Sequence, residues 1–358
     1  MTLQLPPFRA KVVVRALTTL ALTNAIGFVY ADALTFQDVI NSSDPTFNQE
    51  LGINNSGLIA GYFGSGMAGH PNKGYTVPYT AGTITSGFTN ENFTGSAQTQ
   101  VTGLNNIGTT VGFFSDTNKG VGLDNNFGWV NVGGTFTEAN DPFASTFTSP
   151  AGPLFTDQLL GVNDSNVAVG FYVDDNGNTH GYTYNIGTKT STTIDDPNAT
   201  PGTTTAAAIN NAGNIAGFAT NPGTGTTEGF LDIGGTFSFV NVPGSSSTML
   251  LGLNNTGEAV GVTTFGMSMF GILCNTATLA CTEFSDPNEV GTTTFNGLND
   301  NGKIVGFYVN GAGNTIGLVA SVPEPSMFLL SGCGVLLIGL LRRRRSRLGS
   351  EPRALASG

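Results

Sequence analysis

Arginine is missing from the whole central stretch of this chain. The eight arginines sit at its two ends, Arg9 and Arg15 in front, and Arg342, Arg343, Arg344, Arg345, Arg347 and Arg353 behind. Between Leu34 and Leu341 the cations are Lys73, Lys119, Lys189 and Lys303, against 22 Asp and Glu, a balance of −18. A surface of that sign cannot neutralise phosphates and release their counterions, which excludes nucleic acid as a partner. The missing guanidinium also removes the clamp that a carboxylate sugar needs in a sialidase. Histidine is limited to His70 and His180, and cysteine to Cys274, Cys281 and Cys333. No Cys/His spacing suits zinc, and no Gly-x-Ser-x-Gly elbow presents a serine nucleophile. Glycoside hydrolysis needs only two carboxylates, but no pair stands out among the scattered Asp and Glu. Charged residues are 10% of the 358, so the solvent faces of long helices could not be built.

What is abundant is glycine, with 51 residues, together with Thr, Asn and Phe. That composition suits many short strands joined by tight turns. The expected class is all-β.

The two ends read as addresses. Arg9, Lys11 and Arg15 surround Val12-Val13-Val14, and an apolar stretch runs on to small residues at Ala31 and Ala33. This is the pattern of a secretory signal over 1–33, cut after Ala31 or Ala33. At the other end Val322-Pro323-Glu324-Pro325 precedes fifteen largely apolar residues, Met327 to Leu341, and then Arg342, Arg343, Arg344 and Arg345. Fifteen helical residues span about 22 Å, a short transmembrane helix that the basic cluster would stop on the cytoplasmic side. A proline-flanked motif just outside such a stop is accessible to a membrane-bound peptidase. The arrangement over 321–347 resembles the PEP-CTERM sorting signal of Gram-negative bacteria. The resemblance implies an exosortase and the inner membrane as partners in transit, removal of the tail, and a cell-surface or extracellular destination. It also implies a link to exopolysaccharide and biofilm matrix. The hydrophilic extension over 348–358 departs from the usual pattern, which stops soon after the arginines.

The middle, 34–320, is self-similar. The phrase Gly-apolar-Asn-Asn/Asp-x-Gly-x-x-apolar-Gly recurs six times, beginning at Gly52, Gly103, Gly161, Ala208, Gly252 and Gly297, with steps of 51, 58, 47, 44 and 45 residues. These copies resemble the HAF family of extracellular repeats, which implies location and repetition but no activity. Each copy parses into four strands: one before the Asn-Asn-x-Gly turn, a short apolar one after it, a third at a Gly-aromatic pair such as Gly128-Trp129, and a fourth closing at Asn/Asp-Pro. Four strands per unit, six times over, is the rhythm of a six-bladed β-propeller, with an open solenoid, which would need polar caps, or a two-sheet arrangement as the competing reading. The sixth copy lacks a fourth strand, and Leu34 to Ile40 reads as a fourth strand without the first three. A circular array would be closed by that N-terminal strand, leaving no open edge.

Candidate sites are few. The recurring Asn pair reads first as turn chemistry, with a ring of ligand-binding amides as the competing reading. Asp174-Asp175-Asn176 resembles the start of a Ca²⁺ loop but lacks the acid at the twelfth position, so a hairpin turn competes with weak Ca²⁺ binding. Cys274 and Cys281 fall on facing strands, where an oxidising compartment permits a disulfide. The aromatics after the second glycine, including Phe113-Phe114 and Phe171-Tyr172, alternate faces; most should pack between sheets and a few could stack on sugars. The expected function is a non-enzymatic surface or matrix protein without a cofactor, the alternative a secreted glycan-acting hydrolase on the same scaffold.

Overall fold

The computed structural model describes residues 34–80, 82–84, 87–145 and 154–321. The expected signal segment, the sorting motif Val322 to Pro325, the basic cluster Arg342 to Arg345 and the helices expected at both ends lie outside the described residues. Among those residues there is no helix, and every regular element is a strand. Residues Phe36–Ser321 form one unit.

Each copy is an antiparallel meander. Copy one holds β2 (Asn48–Ile53), β3 (Leu58–Phe63), β4 (Lys73–Thr80) and the fragments β5 (Thr83–Ile84) and β6 (Thr89–Asn90). Copy two holds β7 (Gln98–Leu104), β8 (Thr110–Ser115), β9 (Phe127–Val132) and β10 (Thr135–Glu138). Copy three follows with β11 (Asp157–Val162), β12 (Val167–Val173), β13 (Thr179–Asn185) and β14 (Thr190–Thr193). Copy four has β15 (Thr205–Ile209), β16 (Ile215–Thr220), β17 (Thr227–Ile233) and β18 (Thr236–Val240). Copy five has β19 (Ser247–Leu253), β20 (Glu258–Phe265), β21 (Ser268–Asn275) and β22 (Cys281–Phe284). Copy six has β23 (Glu289–Leu298), β24 (Lys303–Asn310) and β25 (Thr315–Ser321), and β1 (Thr35–Val39) lies beside β25 as its fourth strand. The Phe36 ring packs on Phe295 of β23 at 6.4 Å, and the Tyr308 hydroxyl donates to Asp38 at 3.1 Å.

The repeated glycines have distinct reasons. In every copy the first strand carries a bulge just before the Asn turn, as between Leu159 and Gly161 or between Leu250 and Gly252. The bulge presses that strand against the second. A Cβ on the second-strand glycine would meet a backbone carbonyl, Gln158 O at 1.9 Å from Gly170 and Met249 O at 1.8 Å from Gly261. The first-strand glycines instead meet one another around a central channel: a Cβ on Gly297 would stand 3.0 Å from the Gly52 Cα, and one on Gly252 would stand 3.0 Å from the Gly297 Cα. Five of the six inner strands carry glycine at this close approach, and copy four carries the smallest side chain, Ala208.

The backbone ladders do not run round the whole molecule. Single parallel bridges, Thr227 with Ser247 and Met269 with Thr292, join copies four, five and six into one sheet. The first three copies are separate sheets. Isolated parallel bridges, Phe47 with Thr315, Asn126 with Thr156 and Thr179 with Thr203, link other neighbours, and sheet faces pack between copies throughout. Ala60 of copy one is buried with Val101 and Trp129 of copy two; Val130 of copy two with Leu159 and Tyr182 of copy three; Val169 of copy three with Ala206 and Phe230 of copy four. Leu231 of copy four meets Leu250 and Ile272 of copy five, and Val305 and Val319 of copy six meet Ile59 and Tyr75 of copy one, with Val39 of β1 between. Each fully buried Val, Leu, Ile or Phe among them contributes about 1.5–3 kcal/mol relative to exposure.

Gly261→Ala is expected to cost more than ~2 kcal/mol, because its Cβ cannot be placed without opening the β19–β20 ladder. Gly187→Ala, whose Cβ would meet nothing nearer than the Asn185 Oδ1 at 3.4 Å, should stay within ~0.5 kcal/mol. Urea midpoints of the two variants check this.

Candidate functional site

The six Asn-Asn/Asp turns gather at one end of the channel. The first Asn of each turn is saturated by its own backbone: Asn163 Oδ1 accepts from Ser165 N at 3.0 Å and Val167 N at 3.1 Å. Its Nδ2 leaves the copy and donates to the backbone carbonyl of the equivalent Asn in the next. The series runs Asn54 to Asn105 (3.1 Å), Asn105 to Asn163 (2.9 Å), Asn163 to Asn210 (3.1 Å), Asn210 to Asn254 (3.1 Å), Asn254 to Asn299 (3.4 Å) and Asn299 back to Asn54 (2.9 Å). The circuit returns to its start.

A second circuit runs outside it through the next residue, each backbone N–H donating to the side-chain oxygen of the following copy, ending with Asp300 N to Asn55 Oδ1 at 2.9 Å. Four of these six residues are Asn, with amide hydrogens still to place, and two are Asp. Asp164 takes Asn106 Nδ2 at 2.9 Å and Asn211 Nδ2 at 2.7 Å; Asp300 takes Asn255 Nδ2 at 2.9 Å and Asn55 Nδ2 at 2.7 Å. Partial burial alone would raise both carboxyls, but these donors outweigh it and hold Asp164 and Asp300 below the ordinary Asp range. The space inside the ring is about 80 Å³, and the glycine-lined channel beneath it about 70 Å³. Both are far smaller than the ~300 Å³ at which small-molecule pockets begin. The ring's amides and carboxylates are spent on holding copies together, which favours the turn reading of the Asn pair over a ring of ligand-binding amides.

Two buried acids were not legible as such from spacing. Glu50 occupies a first-strand position filled elsewhere by Val101, Leu159, Ala206, Leu250 and Phe295, and an acid in that apolar series was the available signal. It is buried, accepts from the Tyr75 hydroxyl at 2.5 Å, and its Oε2 has no partner. Burial pushes its carboxyl up to about 8, against the lowering effect of the Tyr75 bond. Asp157 accepts from the Tyr182 hydroxyl and from Asp141 N, both at 2.6 Å, and burial pushes it up to about 7. The two pairs lie in different copies, one and three, so they do not form one catalytic dyad.

The Asp174-Asp175-Asn176 loop is a turn between β12 and β13. Asp174 Oδ1 accepts from Asn176 N and Asn178 N, both at 2.8 Å, and Oδ2 takes Asn178 Nδ2 at 3.0 Å. His180 stands 3.5 Å from that oxygen and 2.7 Å from Asp195 Oδ2, with its ring stacked on Tyr172. Among the described residues no group of three or more His, Cys, Asp or Glu is placed to hold a metal. Cys274 and Cys281 are cross-strand partners in the β21–β22 hairpin, joined as a disulfide. His70 closes an exposed turn, its N–H donating to Met67 O.

No protein-family model and no curated protein matches the chain. Solved structures do. The chain is similar to TolB from Acinetobacter baumannii, at 11% identity and a TM-score of 0.47, over 78% of this chain and 66% of TolB. It is similar to the β-propeller domain of the Trilobed protease from Pyrococcus furiosus, at 8% identity and 0.44, over 78% and 96%. A third is a lectin variant from Aleuria aurantia in complex with Fucα1-6GlcNAc, at 10% and 0.44, over 78% and 99%. The class the strand pairing defines is all-β and propeller-like.

The contribution of Glu50 to stability should fall as pH rises from ~4.3 to about 8. A carboxyl whose folded pKa is raised contributes stability that is complete below its unfolded value, ~4.3 for Glu, and is lost as pH climbs through the folded value, about 8 for Glu50. Asp164 and Asp300 act in the opposite sense, with stability present above ~3.9 and lost as pH falls through their lowered values. Glu50→Gln keeps an acceptor for Tyr75 and is expected to flatten the slope between about pH 5 and pH 8 in urea titrations. An unchanged slope would show that Glu50 is not held neutral.

Proposed function

We propose that this chain is an exported, non-enzymatic surface or extracellular-matrix protein whose body is a six-bladed β-propeller closed by its N-terminal strand. The observation that carries the reading is the Asn circuit. The residues repeated in every copy, those with most capacity for chemistry, are committed to joining one copy to the next. A body built this way is a rigid scaffold. The circuit that returns to Asn54 and the pairing of β1 with β25 support six blades and closure at the junction of copies six and one.

Export rests on the two ends. The N-terminal segment has the order of a secretion signal, and Val322-Pro323-Glu324-Pro325, the apolar segment and Arg342 to Arg345 have the order of a sorting tail. An oxidising destination fits the Cys274–Cys281 disulfide. The proposed partners are an exosortase during transit and exopolysaccharide afterwards, with no resident cofactor. An acidic, arginine-free body suits solubility in a matrix.

Expression of the full chain in a Gram-negative host with and without an exosortase, followed by mass spectrometry of the product, tests the export reading. The expected product begins at Asp32 or Leu34, ends near Pro325 and lies outside the inner membrane, and Pro323→Ala with Glu324→Ala blocks loss of the tail. A chain that keeps both ends in the presence of the exosortase overturns it.

A further inference from the structure

The end of the body opposite the Asn ring is not symmetric. The loops joining second to third strands lie there, and they differ in length. Loop 64–72 in copy one and loop 116–126 in copy two are long, whereas copy five turns in Gly266-Met267 alone. The two long loops touch: Gly69 N donates to Asn118 Oδ1 at 2.8 Å and Asn118 Nδ2 to Met67 O at 3.2 Å. Between them and the start of β11 lies a cavity of about 280 Å³, near the lower bound of small-molecule pockets.

Its polar wall is held in place from behind. Gln100 Nε2 donates to Asn72 Oδ1 at 2.8 Å, Asn72 N to Gln98 Oε1 at 3.2 Å, and Gln98 Nε2 to Asp124 Oδ2 at 3.0 Å. Asn72, Gln98 and Asp124 are all buried. Asp124 also takes the Lys119 N–H on both oxygens, the Gly120 N–H and the Thr117 hydroxyl. Its carboxylate is saturated and anchors the loop. It has no lone pair to spare for a reacting group. No second acid lines the cavity, so the two-carboxylate geometry of hydrolysis is not present there.

What the cavity leaves open is neutral. The Gln158 amide makes no hydrogen bond to a described residue, and Gln100 Oε1 and Asn126 Oδ1 accept from none. Phe113 is half-buried and makes no ring–ring contact among the described residues, whereas Phe114 on the opposite face stacks on Phe93 at 4.0 Å. A planar amide offers two donors and an acceptor side by side, the complement of adjacent hydroxyls on a sugar ring. An aromatic face attracts the weakly positive C–H surface of the same ring. We propose that this cavity binds an uncharged pyranose, one residue of a neutral glycan, with Gln158, Gln100 and Asn126 meeting its hydroxyls and Phe113 its C–H face. The inference deepens the surface-protein reading by naming a ligand class, and it rests on that reading only for where the glycan is met.

Saturation-transfer NMR and calorimetry on the full chain test it, with glucose, galactose, mannose, fucose and N-acetylglucosamine as neutral probes and glucuronate as the charged one. At least one neutral sugar should bind saturably and glucuronate at least tenfold more weakly. Gln158→Ala should cost tenfold or more in affinity with an unchanged melting temperature, since its side chain holds nothing in the fold. Phe113→Ala should do the same to affinity. Absence of saturable neutral-sugar binding, binding indifferent to both substitutions, or equal binding of glucuronate overturns the proposal. A chain that is exported and trimmed yet binds none of the sugars loses this pocket and keeps the export reading. Sugar binding by a chain that is never exported does the reverse.

Discussion

The structure depends on a single polar contact made six times: an asparagine amide in one copy donating to the backbone carbonyl of the same asparagine in the next. Each of these residues is at least nine-tenths buried, and a buried amide or carbonyl without a partner costs about 1–3 kcal/mol. Most of the carbonyls also accept from their own turn, Gly57 N to Asn54 O and Gly213 N to Asn210 O both at 3.0 Å, so what the neighbour adds is an acceptor for the buried Nδ2; Asn254 Nδ2 has a second one in its own copy, Glu258 Oε2 at 2.9 Å. The series follows chain order and ends with Asn299 donating to Asn54.

The apolar packing obeys the same constraint. The sheets are two-faced, with Trp129, Tyr75, Tyr182, Phe230 and Phe295 fully buried. The clusters that hold them mix residues of adjacent copies, so a lone four-stranded sheet would expose both faces. The glycines of the inner strands let the copies approach until those faces meet. Hydrogen bonding at the turn and burial between sheets are therefore coupled, and both reward the complete circuit.

Departures from repetition mark where the body differs from a plain scaffold. Asp164 and Asp300 replace Asn in the outer ring and give four amides a place to donate. Glu50 places a carboxyl in an otherwise apolar series and Asp157 one beside Asp141, each against a tyrosine. The long loops of copies one and two enclose the amide-lined cavity, which a strictly repeated chain would have shown six times or not at all.

Much of this was legible in the chain itself. The six phrases, the strand boundaries, the Gly and Asn turns and the orphan strand at Leu34 to Ile40 follow from local backbone preferences, which act over a few residues and are written in order. The facing positions of Cys274 and Cys281 followed from the same alignment of copies. The direction of the Asn amides, the carboxyls buried at Glu50 and Asp157, and the network from Gln100 through Asn72 and Gln98 to Asp124 did not. Those depend on which atoms from different copies come within hydrogen-bonding distance of each other, and on how much water is left between them. Sequence by itself determined that the body is all-β, repetitive, acidic and free of arginine. Only the tertiary structure decided which polar groups are consumed in joining the copies and which remain open, because hydrogen-bond satisfaction belongs to the assembled circuit and to no single repeat.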